Sequence, residues 1–521
     1  MNCCTFSGSS EDQQHRIRKI PYFWTAALLF WLFWLWISRN VPYGIDDWQW
    51  GVSAGLEHLK TASLNSRYVG NALEVIVSRS KLLKTLLIGT MEALIPLLSV
   101  LLVQRWQEMQ GVETADDRFP AFLLAMANLI WLTLPREVWA QTYGWVAGFS
   151  NYGLAAFLLV ISQGILLEGE NPAKKHSLGF LALSLVVGLM TQLVLESLTV
   201  FMVALGIFAL FVQLLTYRRC GVLTLAFLLG IVSGALIMFS GNIYRSLLTT
   251  GHTEGVGRKL SFTPGMSLLE ILQIFSFRFR YFMPGNLWGN NWVACSVIAL
   301  CMIPAAKVCG KLLRMAITGI SCGFAFFFIW NHFWGPIEKH VSRWNEYYTQ
   351  WLHILFFVVI LVLVICLFRR EKNLCLALLL LWILCPLAIS PMLAVSDMGG
   401  RCFLPPLVFF EEFCLLLLQR EAREFPPPMR RIGTALLSAS LLISAVRLTV
   451  VFTALGKAER QREKLIDEAR ETHVSGLYLP DYPYGDYHWI TEPLKGGGQI
   501  QFFREFYQIP DDMELLFDPA D

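Results

Sequence analysis

Asp46 and Asp47 stand side by side in Asn40-Val-Pro-Tyr-Gly-Ile-Asp-Asp-Trp-Gln-Trp50, just past the end of the first long apolar segment. Carboxylates this close to hydrocarbon are costly unless they are paired or used. Adjacent side chains cannot point the same way. The chemistry the pair offers is therefore divided: one carboxylate acts as general base and the other orients it or binds a cation. The ordinary alternative is a pair of capping acids for a helix over 47–60.

Other candidates follow along the chain. Arg67, in Arg67-Tyr-Val-Gly-Asn71, could neutralise the acids or hold a phosphate, or be a surface cation at a helix start. The segment from Arg136-Glu137 to Tyr152 mixes Glu137, Tyr143 and Asn151 with several tryptophans. Flat rings against C–H faces and amides against hydroxyls are how proteins hold sugars, although an interfacial aromatic belt has the same composition. Glu196 falls between two apolar runs, and an ionisable residue at membrane depth is a functional candidate. Arg245, Arg278, Arg280 and Arg401 sit on the side where basic residues are disfavoured. Guanidinium groups there suit a phosphate, through paired N–H bonds.

The elements that must position these residues are membrane helices. Of 521 residues, 55% are hydrophobic and only 16% charged, and the mean hydropathy is +0.51. Apolar segments are expected near 22–38, 82–103, 119–134, 152–167, 176–193, 196–216, 221–239, 291–306, 313–330, 351–368, 373–390, 402–419 and 432–453. The fold class read from this is an all-α polytopic membrane protein of about 13 transmembrane helices. The stretch 176–216 would be about 60 Å long as one helix, twice the hydrocarbon thickness, so a hairpin is expected with its tip near Thr191–Ser197.

Lys174-Lys175, Arg218-Arg219, Lys307, Arg369-Arg370 and Arg420 to Arg431 fall in alternate short loops. By the positive-inside bias those loops are cytoplasmic. The expected organisation is then a cytoplasmic tail over 1–21, a transmembrane domain over 22–453 and an extracytoplasmic α/β tail over 454–521. The longer loops 39–81 and 240–290 also lie outside, the second with an interfacial helix closed by Pro284-Gly285-Asn286. No small-residue cleavage site follows the basic stretch His15 to Lys19, so the first helix reads as retained. The net charge of +3 gives no reason to expect nucleic acid. Ten of the twelve cysteines lie in or beside apolar segments, as small hydrophobes do, and no Cys/His spacing suggests zinc.

The chain resembles the GT-C superfamily of integral-membrane glycosyltransferases, and more narrowly a family of bacterial multi-pass proteins of poorly defined function. The resemblance is carried by Ile45-Asp-Asp-Trp48, Arg67-Tyr-Val-Gly-Asn71, Gly144 to Tyr152, Gln192 to Ser197, Arg245, Arg401, Leu479-Pro480 and Phe506-Tyr-Gln-Ile-Pro510. It implies a GT-C-like fold in a bacterial cytoplasmic membrane, N-terminus in and C-terminus out. It implies a polyprenyl-phosphate-linked sugar as donor and a glycan or lipid-linked acceptor, met on the extracytoplasmic face. By the same resemblance Asp46 is the general base with Asp47 as alternate, and the four arginines bind the donor phosphate. Arg67, Glu137, Tyr143, Asn151 and Glu196 face the sugar or acceptor. Some members use a divalent cation (Mg or Mn), and the sequence leaves metal dependence open. Two other activities fit the same residues: a polysaccharide polymerase or ligase, and a transporter or flippase of a lipid-linked glycan. A transporter should show ionisable or broken helices near the midplane, and the sequence shows neither clearly.

Overall fold

Long runs of Leu, Phe, Val and Ala leave the backbone one stable option in an apolar solvent, the helix that satisfies its own N–H and C=O groups. The computed structural model describes residues 21–110, 118–251, 259–338, 343–472, 474–493 and 498–517, apart from Ser63, Pro264 and Asp397. Residues 1–20 of the expected N-terminal tail lie outside the described residues. Ten helical segments are long and apolar enough to cross a membrane, and two shorter apolar helices, Phe119–Leu132 and Leu178–Gln192, pack among them. Large apolar side chains such as Leu29, Phe211, Leu236, Phe326 and Ile443 are exposed around the bundle. A surface so apolar suits lipid rather than water. The chain is a multi-pass helical membrane protein.

The centre of the bundle is the helix Leu404–Glu421, in which Arg420 alone is not buried. It starts on Pro405-Pro406, where a missing N–H is harmless. It is enclosed by Lys81–Met109, Phe119–Leu132, Leu154–Glu168, Trp292–Ala305 and Lys372–Ile389. Leu178–Gln192 packs closely against Val222–Phe239. A Cβ at Gly230 would come within 2.1 Å of the Leu185 carbonyl oxygen, so only glycine permits that approach. The chain turns between Gln192 and Glu196, at the expected hairpin tip.

One end of the bundle carries the pairs Arg105 with Glu168, Lys307 with Glu424 and Arg420 with Glu371. The other end gathers segments 40–80, 133–153, 390–403 and the C-terminal tail. The expected loop 39–81 is largely helical, as Ile45–Gly51, Ser53–Thr61 and Tyr68–Arg79. In the region 240–290 the helix Leu268–Leu287 runs through Pro284 rather than stopping at it. Proline there removes one hydrogen bond, and the apolar stretch continues to Val308. The expected boundary at 453/454 falls inside a single 46-residue helix, Pro427–Thr472, which carries the charged residues after 456 out of the bundle. The tail beyond it forms a two-stranded parallel sheet of Gly476–Leu479 and Glu514–Phe517, with helix Gln499–Tyr507 between them. Phe503 packs edge-on to Trp48 and Phe506 to Tyr43, which holds the tail against the Asp46 segment.

Candidate functional site

The two aspartates part company in three dimensions. Asp47 is fully buried, and both of its oxygens are taken by backbone amides. Oδ2 accepts from Gly44 N at 2.7 Å, closing the N-terminus of its own helix, and Oδ1 accepts from Ala147 N at 2.8 Å. Burial pushes this carboxyl up to about 7 against the pull of those two bonds. Asp47 is thus a clamp between two segments 100 residues apart, fully buried and away from any substrate. Asp46 is partly buried and accepts no hydrogen bond from the described residues. Burial pushes its carboxyl up to about 6, while the nearby charge of Arg401 draws it back down. At neutral pH Asp46 is mostly ionised and has a base's pKa close to working pH.

Arg401 lies in the short turn Gly400–Phe403, just before the central helix. Its backbone N donates to Gln141 Oε1 at 3.3 Å, and its Nε donates to the Tyr152 hydroxyl at 3.1 Å. The guanidinium sits beside three rings, 5.7 Å from Trp145, 5.8 Å from Tyr152 and 5.9 Å from Trp489. The two terminal nitrogens find no acceptor among the described residues. Tyr152 is carried on a π-helical turn, Phe149–Gly153, and such turns recur at functional sites because they re-aim one side chain.

Arg67 is near this pair but engaged elsewhere. Its Nε and one terminal nitrogen donate to Glu196 Oε2 at 3.0 and 2.7 Å, and the other Glu196 oxygen accepts from the Tyr244 hydroxyl at 2.7 Å. The Arg67 charge acts on Tyr152 and Arg401, so this ion pair lies near them. Glu74 follows Arg67 by two turns on the same helix face. It is 1% exposed, its Oε1 has no partner, and it is coupled electrostatically to Asp47, Asp46 and Arg67. Burial, helped by the two aspartates, holds its carboxyl well above the usual range.

The remaining expected residues fall in several places. Glu137 accepts from Gln141 Nε2 at 3.1 Å and so acts on Arg401 through Gln141. Asn151 donates to the Ala147 carbonyl at 3.0 Å, and its Oδ1 is buried without a partner. Tyr143 is a core residue, packed between Trp34, Trp131, Trp139 and Phe149 beneath the site rather than in it. A ring so enclosed cannot stack on a sugar. Arg278 donates to the carbonyls of Met392, Val395 and Ser396. It therefore anchors the loop leading to Arg401 rather than pointing at an anion. Arg280 stacks over the neighbouring Tyr281 ring at 4.9 Å. Arg245 is exposed, and its neighbour Tyr244 is the one that turns inward. Among the described residues no group of three or more His, Cys, Asp or Glu side chains could hold a metal ion.

Glu74, Tyr244 and Trp489 are the site residues that the sequence did not single out, whereas Tyr152 belongs to the aromatic segment it did. Glu74 was legible in principle, because Arg67, Asn71 and Glu74 share one helical face. Trp489 was not, since nothing local says that a tail residue returns to a loop more than 300 positions earlier.

The bundle interior also departs from expectation. Glu92, Glu411 and Glu412 are fully buried among the membrane helices. Glu412 accepts from Gln163 Nε2 at 3.1 Å, whereas neither oxygen of Glu92 has a hydrogen-bond partner. No family model matches this chain, no curated protein matches it, and no solved structure matches it.

Proposed function

We propose that this protein is a membrane glycosyltransferase. It would move a sugar from a polyprenyl-phosphate-linked donor to a cell-envelope glycan or lipid-linked acceptor. The observation that carries this reading is Asp46, with no hydrogen bond among the described residues, within the field of Arg401, whose terminal nitrogens find no acceptor among those residues. In the reaction the Asp46 carboxylate takes the proton of an acceptor hydroxyl as that oxygen bonds to the anomeric carbon. The bond from that carbon to the phosphate oxygen breaks, and its electron pair leaves with the lipid phosphate. Arg401 faces the charge that develops there. Asp47, Glu137 and the Arg67–Glu196 pair fix the two groups in place.

The basic residues support an orientation with the Asp46 end outside. Arg105, Lys174, Lys307 and Arg420 mark the end opposite Asp46, which the positive-inside bias makes cytoplasmic. With thirteen crossings, counting the first helix and the two shorter ones, the C-terminus is outside, and a reporter fused after residue 521 reads external.

The test is a strain whose only copy carries Asp46→Asn. Its envelope glycans, profiled by mass spectrometry, should match those of a deletion strain while the protein inserts and accumulates normally. A parental glycan profile removes Asp46 from the mechanism.

One observation favours a second reading, passage of a lipid-linked glycan across the bilayer. Glu92, Glu411 and Glu412 are the buried ionisable residues that a transport path requires. On that reading Glu411→Gln abolishes function and Asp46→Asn does not.

A further inference from the structure

The tail segment 486–491 is laid across the Asp46 site as a strap. Ile45 N donates to the Ile490 carbonyl at 2.9 Å, and Trp489 N donates to the Gly144 carbonyl at 3.4 Å. Arg136 pairs with Asp486 at 3.0 Å at the strap's outer edge. Within it Trp489 stacks on Trp145, with centroids 5.6 Å apart and planes at 28°. Both indoles border the Arg401 guanidinium. Trp489 is partly exposed, so part of its side chain can be reached from outside the protein. Trp145 is only 8% exposed and backs the Trp489 ring. A partly accessible indole beside a guanidinium whose two terminal nitrogens find no acceptor among the described residues is the combination that a sugar phosphate requires.

We infer that Trp489, backed by Trp145, is the saccharide platform beside Arg401: the ring of a phosphate-linked hexose lies on the accessible part of the Trp489 indole, and the phosphate meets Arg401. This rests on the proposed donor reading and adds to it which part of the chain recognises the sugar. The C–H face of a pyranose is apolar and slightly positive, which suits an electron-rich indole face. The tail is then a part of the substrate site rather than an appendage to it.

The experiment compares binding of decaprenyl phosphate with binding of decaprenyl-phosphate glucose, mannose and galactose to the full chain in nanodiscs, by native mass spectrometry. The unaltered protein should bind at least one glycosylated lipid about five- to tenfold more tightly than the bare lipid phosphate. Trp489→Ala should erase that preference while keeping the affinity for decaprenyl phosphate. Trp489→Phe should keep most of it, and Arg401→Gln should weaken all four lipids alike. The backbone bonds of Trp489 and Ile490 do not involve the indole, and an unchanged melting temperature of Trp489→Phe verifies that the strap stays docked. A preference that survives in Trp489→Ala, or that the unaltered protein shows for none of the three sugars, overturns the saccharide subsite. Failure of the unaltered protein to bind any of the four lipids overturns the donor reading itself.

Discussion

Replacing Gly144 by alanine should detach the strap without touching any group proposed to do chemistry. A Cβ built at Gly144 lies 1.9 Å from the Tyr487 carbonyl oxygen and 3.1 Å from the His488 Cα. A carbon–oxygen contact relaxes to roughly 3.3 Å, so the strap must withdraw by about 1.4 Å. That displacement breaks the already long Trp489 N–H bond to the Gly144 carbonyl and unseats the Trp145–Trp489 stack. Overpacking of this kind costs about 1–3 kcal/mol, and the lost ring pair adds about 0.5–1.5 kcal/mol. With about 2 kcal/mol as a conservative sum, local opening becomes roughly thirtyfold more frequent. Hydrogen exchange read by mass spectrometry should show amides of 487–491 exchanging faster by about that factor, while helix Leu404–Glu421 keeps its protection. The same variant should bind sugar-bearing lipids like Trp489→Ala. Exchange over 487–491 changed less than threefold would refute the close approach, and with it the docked strap.

Four further outcomes follow. Transfer should fall about tenfold per pH unit below roughly 6, because the base must be ionised and burial lifts the Asp46 carboxyl to about 6; a pH–rate profile flat down to 4.5 contradicts this. Asp47→Asn should lower the melting temperature through loss of about 2 kcal/mol, since the amide NH2 would oppose a backbone donor now held at 2.7 or 2.8 Å. Asp46→Asn should leave melting unchanged, and equal melting losses for both variants would mean that the two carboxylates are not divided in role. Glu196→Gln should cost about 3 kcal/mol, because the Arg67–Glu196 side chains are only 16% and 21% exposed and Arg67 would lose its counter-charge; thermal unfolding in detergent measures it.

Much of the helical scaffold was legible because hydrophobic run length is a direct physical signal in a bilayer. The turn before Glu196 and the apolar spans stand where run length and turn residues place them. Boundaries set by long-range packing were not legible. The helix Pro427–Thr472 ignores the change from apolar to charged residues, because helix propensity stays high through Glu, Arg, Lys and Ala. Arg278 and Tyr143 were misplaced for a related reason. Residue type alone cannot distinguish an arginine aimed at a phosphate from one aimed at three carbonyls, nor a sugar platform from a core ring. Glu92, Glu411 and Glu412 were passed over because isolated acids barely lower the mean hydropathy of an apolar run.

The separation of Asp46 from Asp47 shows how the fold divides two identical groups. The helix Ile45–Gly51 turns the neighbouring side chains about 100° apart. One direction leads to the amides of Gly44 and Ala147, the other to the field of Arg401. Because Ala147 and Tyr152 belong to the same short segment, the clamp made by Asp47 also locates the hydroxyl that holds Arg401 Nε. The segment bearing Gly144 and Trp145, in turn, is where the strap docks. Base, guanidinium and aromatic wall are thus referenced to one stretch, 141–152, rather than to one another through flexible loops. The geometry of the site therefore depends on the contact of 141–152 with the turn before Leu404–Glu421, a helix buried along its length except at Arg420.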